Sequence, residues 1–545
     1  MRHFRRRLAA PPRDALAMLR RDYGQGAIGR REFLTRATAL GVAAQAFGPL
    51  GAARAQEARG GSLRIQMRVL PQGDPRLWDF TEKSNACAGL LDRLVHARHD
   101  GRMEGALAES WETSEDAASY VLHLRPGVTW SNGDPFGAED VLANFEGWCD
   151  AGLAGNSMAS RLAPLIDPGT GRLREGAVTI LDPLTLRLDL AWPDITLIPG
   201  LSDYPAAVMH RSAIGESPLD RQIGTGAYRI AEYQPGTGAV LERDPQRRPW
   251  RAGQLERIAF VDLGPDPVAM VEAAEDGRID MTYDTIGAYV PVMDGLGWRR
   301  SEIDTSATIV LRARQSHELG GFRPYADLRV RRALQLAVDN EVLLELGYDG
   351  RGLAAENHHV SPLHPAYAAI PPQRPDPAQA RALMEEAGMM EYEHELVSID
   401  DDWRRFTTDV MAAQLRDAGF RVRRIILPAA DYHAGWRDFG FSSTNWNARE
   451  LGVQALDLGY RSGAAWNESG FADPEFDALL DRAKGLPGAA ERREVMTRLQ
   501  QRLRDQAVIV QPYWRRLMRH VRPGVTGADR HPKDMIDLHA LSLAP

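Results

Sequence analysis

The sequence has few cysteines, no long apolar runs and no excess of basic residues, and each shortage excludes a class of protein. Two cysteines in 545 residues cannot build a disulfide scaffold or an iron–sulfur cluster. Beyond the N-terminus no stretch of about 18 or more apolar residues occurs, which argues against a multi-span membrane protein. The net charge of −8 provides no overall basic field for nucleic acid. What remains is ordinary globular composition, with a length typical of about two to four domains.

The first 55 residues differ sharply in charge from the rest of the chain. They contain 11 Arg and three acidic residues and carry a net charge of +8, whereas the remaining 490 residues carry −16. The pair Arg30 and Arg31 is followed by an Ala-rich apolar run at 37–50 and by a small-x-small pattern that ends at Ala55. This order is typical of a twin-arginine export signal. An ordinary amphipathic helix with chance arginine pairs is the alternative.

Export through this signal predicts a soluble periplasmic protein from which the signal is removed near Ala55. No cysteine follows the apolar run, so no lipid-attachment site is expected. The periplasm is oxidising, and Cys87 and Cys149 could therefore form a disulfide there. Two separate buried thiols are the equally plausible alternative, and the sequence leaves both open.

Local patterns predict an irregular alternation of short strands and helices. Asp376 and Asp473 each precede a proline, the arrangement of a helix N-cap followed by proline at the first helical position. Asn132-Gly133 predicts a tight turn with positive φ. Strands are predicted at 63–67, 120–124, 128–130, 178–180, 185–190 and 508–514, and helices at 138–148, 328–338, 376–388, from 473 onward, and 491–506. Mixed elements without regular βα repetition indicate an α/β protein of two large lobes.

Five stretches, occurring in one order along nearly the whole chain after residue 55, carry a family resemblance. They are WSNGDPFGAEDV (130–141), IGTGAY (223–228), DGRID (276–280), LRVRRALQLAVD (328–339) and FADPEFD (471–477). Together they resemble the family 5 extracellular solute-binding proteins, the peptide, nickel and related receptors of ABC importers. Most residues of these motifs have structural roles, and none is assigned to ligand binding.

The resemblance implies a fold and a domain order. The expected fold is the type II, two-lobe periplasmic binding protein fold of the large cluster, with an inserted subdomain and two hinge strands between the lobes. The expected domains are a signal peptide at 1–55, lobe I at 56–305 plus 512–545 with an inserted subdomain at about 93–220, and lobe II at 306–511. Hinge crossings are expected at 308–312 and 509–513. Ligand would lie between the lobes, which close around it.

The resemblance also indicates a ligand-binding loop in lobe II. In peptide-binding relatives an acid near a tryptophan, often followed by proline, pairs with the α-amino group of the ligand. The matching loop here, at 444–452, contains Trp446 but then Arg449 and Glu450. Trp446 could stack on an apolar or cationic group. Arg449 could hold a carboxylate and Glu450 an ammonium group, or the two could form an exposed pair of little energetic value.

Further candidates for ligand contact come from both lobes. In lobe II they are Asn447, Trp466 and Asn467. In lobe I the segment after the first strand contains Asp74 and Trp78, which we expect to line the cleft. For each aromatic residue, the alternative is packing in a lobe core.

A metal site and an enzyme are the alternatives to simple ligand binding. His358, His359 and His364 could suggest a metal site, but no acid is firmly placed beside them, and solvated loop histidines are the expected alternative. The sequence contains no Rossmann fingerprint, phosphate-binding loop, H-E-x-x-H motif or nucleophile elbow. We therefore expect no cofactor, no bound metal and no catalysis, with an exported enzyme as a distant alternative.

The sequence thus predicts the periplasmic substrate-binding protein of an ABC transporter. It would capture a short peptide or peptide-like solute between its lobes and deliver it to the permease subunits at the inner membrane. Nickel chelates, opines and oligosaccharides are alternative ligands within the same family. A chaperone-like protein or the receptor partner of a chemoreceptor is a third class. The protein is expected to be monomeric, with no nucleic-acid partner.

Overall fold

The computed structural model describes residues 60–247, 249–401 and 403–544, so the predicted export signal and its cleavage site lie outside the described residues. The strands are β1 Ser62–Gln66, β2 Val95–Ala97, β3 Met103–Gly105, β4 Ala108–Thr113, β5 Ser119–Leu124, β6 Ile166–Asp167, β7 Arg172–Leu173, β8 Val178–Asp182, β9 Thr185–Asp189, β10 Tyr228–Gln234, β11 Gly238–Arg243, β12 Arg257–Val261, β13 Met281–Thr282, β14 Arg299–Ala313, β15 Gly352–Ala354, β16 Glu393–Ile399, β17 Arg421–Leu427, β18 Phe441–Trp446, β19 Tyr513–Val521, β20 Val525–Thr526 and β21 Ser542–Leu543.

The α-helices are α1 Thr81–Asn85, α2 Ala138–Trp148, α3 Ser157–Arg161, α4 Leu197–Leu201, α5 Pro218–Arg221, α6 Pro267–Glu275, α7 Tyr289–Gly295, α8 Leu328–Leu336, α9 Asn340–Tyr348, α10 Pro377–Glu386, α11 Trp403–Asp417, α12 Ala429–Gly435, α13 Gly452–Tyr460, α14 Pro474–Lys484 and α15 Ala489–Asp505. Short 3₁₀ turns occur at Pro75–Leu77, Ala163–Leu165 and Arg211–Ala213.

One continuous 11-stranded sheet joins two lobes. Its order is β10-β11-β12-β1-β13-β19-β14-β18-β16-β17, with β15 paired to β19. The strands from β10 to β13 form lobe I, and β16, β17 and β18 form lobe II with helices α8 to α15. The long strands β14 and β19 run antiparallel between them: residues 299–304 of β14 pair with 516–521 of β19, and residues 308–313 of β14 pair with β18. The residue at which one lobe ends and the other begins stays a prediction.

A smaller antiparallel sheet, in the order β4-β5-β9-β8, packs against α2. Its interior is a separate apolar cluster drawn from residues 94–208. Alternation in β5 produces this core, because Tyr120, Leu122 and Leu124 are buried while the residues between them are half-buried. This sheet therefore forms its own unit beside the main sheet of lobe I.

Helix starts are predicted well by their caps. The Asp376 carboxylate accepts from the amide of Gln379 at the start of α10, and the Asp473 carboxylate accepts from two amides at the start of α14. Helix α2 has the predicted bounds, and α8 and α15 agree with their predictions within two residues. Capping hydrogen bonds account for the starts of α10 and α14, whereas α2 and α15 begin after glycines that provide no side-chain cap.

Two motif glycines have steric roles, and that of Gly133 is the predicted one. Gly133 has a φ of +92°, as the tight turn after Asn132 requires. A Cβ at Gly226 would lie 2.2 Å from the carbonyl oxygen of Gly89, so a side chain is excluded where the chain enters β10. Both observations confirm turn or crowding roles rather than ligand contact for these motif residues.

Two predicted strands are wrong. Residues 508–512 are buried but form only a single bridge, between Leu311 and Val510, before β19 begins at Tyr513. Gln511 explains this: its amide donates to the side chain of Asn357 and its side chain donates to Thr308, so side chains replace a regular ladder. The predicted strand at 128–130 is likewise one bridge, to Pro135.

The two cysteines are free and buried. Cys87 belongs to a cluster that spans both lobes, whereas Cys149 lies in the core of the smaller sheet. The chain therefore contains two separate thiols in this structure. Among residues 60–544, apart from the two undescribed positions, no helix combines the length and apolar character needed to cross a membrane.

Candidate functional site

The strand β18 carries Trp446 into the cleft between the lobes and fixes its ring. The Trp446 Nε1 donates to the Glu468 carboxylate over 2.8 Å. Glu468 is buried and forms an ion pair of 2.8 Å with Arg312 on β14. Burial raises the pKa of Glu468, although Arg312 and the hydrogen bonds to the carboxylate oppose that rise. The indole is thus held by a buried charge pair within lobe II.

The loop that follows β18 contacts lobe I with three of its side chains. The Asn447 side-chain amide donates to Thr81 Oγ1 over 2.9 Å. The Arg449 Nε lies 3.5 Å from the Asp203 carboxylate. Glu450 pairs with Lys533 Nζ over 2.6 Å. We name residues 447–450 the bridging loop, because it joins lobe II to three separate segments of lobe I.

Asp203 is the buried anion at the centre of these contacts. Arg161 donates to it through two nitrogens, at 3.1 and 2.6 Å, and Arg449 adds a second guanidinium. Burial alone would raise the pKa of Asp203, but the Arg449 and Arg161 charges hold it well below its usual range. The bridging loop is therefore anchored by a charge cluster that is ionised at neutral pH.

Six aromatic side chains surround a small cavity of about 50 Å³ beside the bridging loop. We name it the aromatic pocket; its rings are those of Phe80, Tyr204, Tyr432, Trp436, Trp446 and Trp466. The Tyr204 and Trp466 rings are stacked with centroids 6.2 Å apart, and Trp446 meets Trp466 edge-on at 6.0 Å. The polar lining residues are Asp79, Thr444, Asn445, Asn447 and Arg449. Such a pocket suits an apolar or cationic group of a ligand.

A larger cavity of about 490 Å³ adjoins the aromatic pocket across Phe80, Asn445 and Asn447. We name it the charged cavity, because three arginine–carboxylate pairs line it. The pairs are Arg68–Glu82 at 2.5 Å, Arg404–Asp401 at 2.5 Å and Arg515–Asp284 at 3.1 Å. Its volume lies within the range of about 300–1,000 Å³ usual for small-molecule sites.

Four of the eight residues singled out in the sequence line one pocket. Trp446, Asn447, Arg449 and Trp466 all border the aromatic pocket. The structure thus brings together residues from two separate segments of lobe II at the interface with lobe I.

The other four residues lie elsewhere. The Asn467 amide donates to the carbonyls of Arg461 and Phe471 and holds a turn. Trp78 is 2% exposed and packs in the core cluster shared by the lobes. Asp74 caps a 3₁₀ turn and pairs with Arg76 at 2.6 Å. Glu450 is engaged by Lys533. None of these four lines either cleft cavity.

Two sequence expectations about charged and titratable groups need correction. Arg449 and Glu450 do not form an exposed pair with each other, because each reaches a partner in lobe I. The three loop histidines are buried rather than solvated: His358 pairs with Glu356, His359 bonds to the Tyr460 hydroxyl, and His364 bonds to the Arg449 carbonyl. Burial lowers the pKa of His359 to about 3 and that of His364 to about 4.

No metal site forms around those histidines in the described part of the chain. No group of three or more His, Cys, Asp or Glu side chains there is arranged to hold a metal ion. The histidine side chains act as hydrogen-bonding partners within lobe II. His364 in particular supports the backbone of the bridging loop at Arg449.

Sequence reasoning missed four of the six rings of the aromatic pocket. Phe80 lies two positions after Trp78, so the predicted cleft segment ended too early. Tyr432 and Trp436 lie on and just after α12, which precedes β18. The cluster of aromatic residues at 432–446 in the sequence was the available signal. Tyr204 offered no local signal, because only the fold brings it to Trp466.

Comparison with known proteins identifies relatives of this chain. The family model for bacterial extracellular solute-binding proteins, family 5 middle, matches residues 102–463. The probable deoxycholate-binding periplasmic protein YgiS of Escherichia coli K12 is 22% identical over 85% of this chain and 90% of its own length. Heme-binding protein A of Haemophilus influenzae is 24% identical over 77% of this chain and 80% of its own.

A solved structure shows the same fold. It is the ABC transporter-associated periplasmic binding protein DppA from Helicobacter pylori in complex with the peptide STSA. The TM-score is 0.78 at 19% identity, and the match covers 89% of this chain and 98% of that one. The two-lobe fold inferred from the sequence is thereby confirmed.

Proposed function

Because the chain belongs to the family 5 bacterial extracellular solute-binding proteins, we propose that it is the periplasmic receptor of an ABC importer. It captures a short peptide or peptide-like solute between its two lobes and presents it to the permease subunits. The single observation that carries this proposal is the cleft, in which an aromatic pocket and a charged cavity adjoin at the interface of the lobes.

The charged cavity suits a zwitterion. A peptide carries an ammonium group at one end and a carboxylate at the other, and each needs a partner of opposite sign when it leaves water. The pairs Arg68–Glu82 and Arg404–Asp401 offer both signs on facing lobes. A guanidinium can hold a carboxylate with two parallel hydrogen bonds. An apolar or cationic side chain of the ligand would then enter the aromatic pocket.

The bridging loop differs from that of peptide-binding relatives in a way that changes the expected contacts. Where those relatives have an acid near the tryptophan, this loop offers Arg449 and Glu450, whose charges are balanced by Asp203 and Lys533. The ammonium group of a ligand is therefore expected at the carboxylates of the charged cavity rather than at the bridging loop. Arg449 forms part of the wall of the aromatic pocket and connects the bridging loop to lobe I through Asp203.

The mechanism is a population shift without covalent chemistry. A ligand that contacts both lobes stabilises the arrangement in which the lobes meet, and it does so by its differential affinity for that state. The strands β14 and β19 allow this motion because they connect the lobes at the centre of the sheet. We propose that the protein acts as a monomer and that the permease recognises the ligand-bound form.

A carboxylate-bearing apolar solute is the second candidate ligand, and the six aromatic rings favour it. Two relatives bear names that refer to deoxycholate and heme rather than to a peptide. Such a solute would place one apolar group in the aromatic pocket and the rest of its body in the adjoining charged cavity, with its acid at Arg404 or Arg68. Unlike a peptide, it has no ammonium group and therefore would need no carboxylate partner in the cavity.

Thermal shift of residues 56–545 after unfolding and refolding tests both candidates. The panel contains di- to pentapeptides, deoxycholate, nickel with histidine, and oligosaccharides. A ligand at 100 times its Kd adds about 2.7 kcal/mol. At about 2.1 cal/mol/K per residue this corresponds to a rise of about 2–3 °C in Tm. A rise with peptides supports the proposal, a rise with deoxycholate alone replaces the ligand class, and no rise with any member contradicts both.

A further inference from the structure

A third cavity, of about 470 Å³, lies within lobe I, and none of its lining residues borders the cleft. Its walls come mainly from residues 88–93, the hairpin of β2 and β3, the loop around Trp250 and the segment 527–540, with Arg125 in addition. Arg519 of β19 also lines it. The proposed peptide receptor function makes no use of this cavity.

Arg519 is a buried cation whose guanidinium leaves two nitrogens without a hydrogen bond to any described residue, although the charges of Asp534 and Asp284 act on it. Its side chain belongs to a residue that is 1% exposed, and its Nε and Nη2 atoms have no hydrogen-bond partner among the described residues. No ion pair to Arg519 is formed within that part of the chain either. An unpaired buried charge is costly, and such groups in native proteins are usually paired or bound to a ligand. Burial and the nearby Arg530 charge lower the pKa of Arg519 to about 9.

A second cation lines the same cavity. Arg93 is 7% exposed and donates to the Asp203 carbonyl and to Ser84 Oγ, but it forms no ion pair with a described carboxylate. The adjacent His96 leaves its Nε2 buried without a partner in the same part of the chain. Burial lowers the pKa of His96 to about 4, so this ring is neutral and lacks a hydrogen bond rather than a counter-charge among the described residues. Two cations at the cavity, Arg93 and Arg519, thus form no ion pair with a described carboxylate.

The acids that line the cavity do not pair with Arg519: three are paired with other arginines, and Asp92 accepts from two neutral donors while its charge acts on Arg93. Asp92 accepts from Thr225 Oγ1 at 2.7 Å and from Trp250 Nε1 at 2.9 Å; Asp537 pairs with Arg251 at 2.5 Å, Asp529 with Arg299 at 3.2 Å, and Glu104 with Arg98 at 3.2 Å. The surplus at the cavity is therefore positive. The remaining wall is mixed: Leu91, Met535 and Ile536 form an apolar part, whereas His99, Arg125, His531 and His539 are polar.

We propose that this cavity is a second binding site, which takes a small solute through a phosphate or carboxylate group held by Arg519. A guanidinium binds either oxyanion with two parallel hydrogen bonds, and the anion supplies the charge that Arg519 lacks. Arg93 and His96 complete the polar wall, and the apolar wall accommodates the rest of the solute. Because all these residues belong to lobe I, occupancy does not require the lobes to close.

Isothermal titration of the purified exported protein with inorganic phosphate and with succinate tests the site. Saturable binding of either anion at one site per chain is expected, and the anion that binds identifies the ligand chemistry. Arg519→Gln should weaken this binding about tenfold or more. Arg381→Gln, at an exposed arginine that lines none of the three cavities, is the matched control and should leave it unchanged.

Circular dichroism establishes whether Arg519→Gln folds. His96→Leu, at a half-buried position, is the second variant and should also weaken binding. The proposal is overturned if neither anion binds below about 10 mM, or if Arg519→Gln binds the anion as tightly as Arg381→Gln does. Failure of this site does not affect the proposed receptor function, because the cleft ligand is measured separately in the same Arg519→Gln protein.

Discussion

Arg449 of lobe II lies 3.5 Å from Asp203 of lobe I, and both side chains are almost completely buried. The contact joins residues 246 positions apart in sequence and closes one side of the aromatic pocket. A buried pair contributes little when both partners are replaced by apolar groups, but removing one partner leaves an uncompensated charge. The pair therefore contributes more to specificity than to net stability: it favours the arrangement of the lobes in which Arg449 and Asp203 are in contact.

Asp203→Asn is expected to destabilise the protein by about 3–5 kcal/mol at neutral pH, because Arg161 and Arg449 would lose their shared counter-charge. The arginines hold the pKa of Asp203 below its usual range, so its stabilising contribution is complete above the unfolded value of about 3.9 and is lost as the pH falls through the lower folded value. The variant should flatten the acid limb of stability. Urea unfolding between pH 2 and 7 measures this, with the exposed Asp529→Asn as control, expected within about 0.5 kcal/mol.

Phe80→Ala should weaken ligand binding about 5- to 30-fold, because the ring lines both cleft cavities. Leu77→Ala, at an exposed side chain three positions earlier, is the matched control and should bind as the wild type does. Titration with the ligand found by thermal shift gives both dissociation constants. Equal weakening in the two variants would show that the effect is not local to the cleft.

Cys87 and Cys149 should resist labelling in the native protein. Burial raises the pKa of the Cys149 thiol to about 12 and also raises that of Cys87, so neither is a thiolate at neutral pH. Ellman's reagent should find almost no thiol within minutes in buffer and two per chain in guanidinium. Detection of none in guanidinium would mean that the cysteines are oxidised in the exported protein.

Replacement of Arg30 and Arg31 by lysine should block export. The proposal of a twin-arginine signal requires the guanidinium pair rather than two positive charges, so charge is conserved in this variant. Cell fractionation should place the wild type in the periplasm, with its N-terminus starting near residue 56, and retain the variant inside. The matched control, Arg20→Lys with Arg21→Lys, alters a second arginine pair and should be exported normally.

Local features of the fold were predictable from sequence, whereas long-range pairings were not. Asp376 and Asp473 set helix starts through hydrogen bonds to amides two or three residues away, so a short window contains all the information. The segment 508–512 was wrongly predicted as a strand, because a buried apolar run is common to strands and to irregular core segments. Its backbone partners are side chains distant in sequence, such as Asn357.

The candidate site shows the same division. Trp446 and its neighbours could be singled out from a motif, but the partners of Arg449 and Glu450 could not. Asp203 and Lys533 come from opposite ends of lobe I, and nothing near either residue marks it as facing the bridging loop. A single sequence does not identify such pairs, since each of the many residues of opposite charge is an equally good candidate partner.

The strand β19 sits between β13 and β14 in the middle of the shared sheet, although it is drawn from residues 513–521 near the end of the chain. During synthesis, all the other strands of the main sheet are made before this strand. Until β19 pairs, the sheet edge at β13 stays uncovered. Completion of the shared sheet is thus tied to residues 513–521, and a chain truncated before them would lack the central strand that both lobes share.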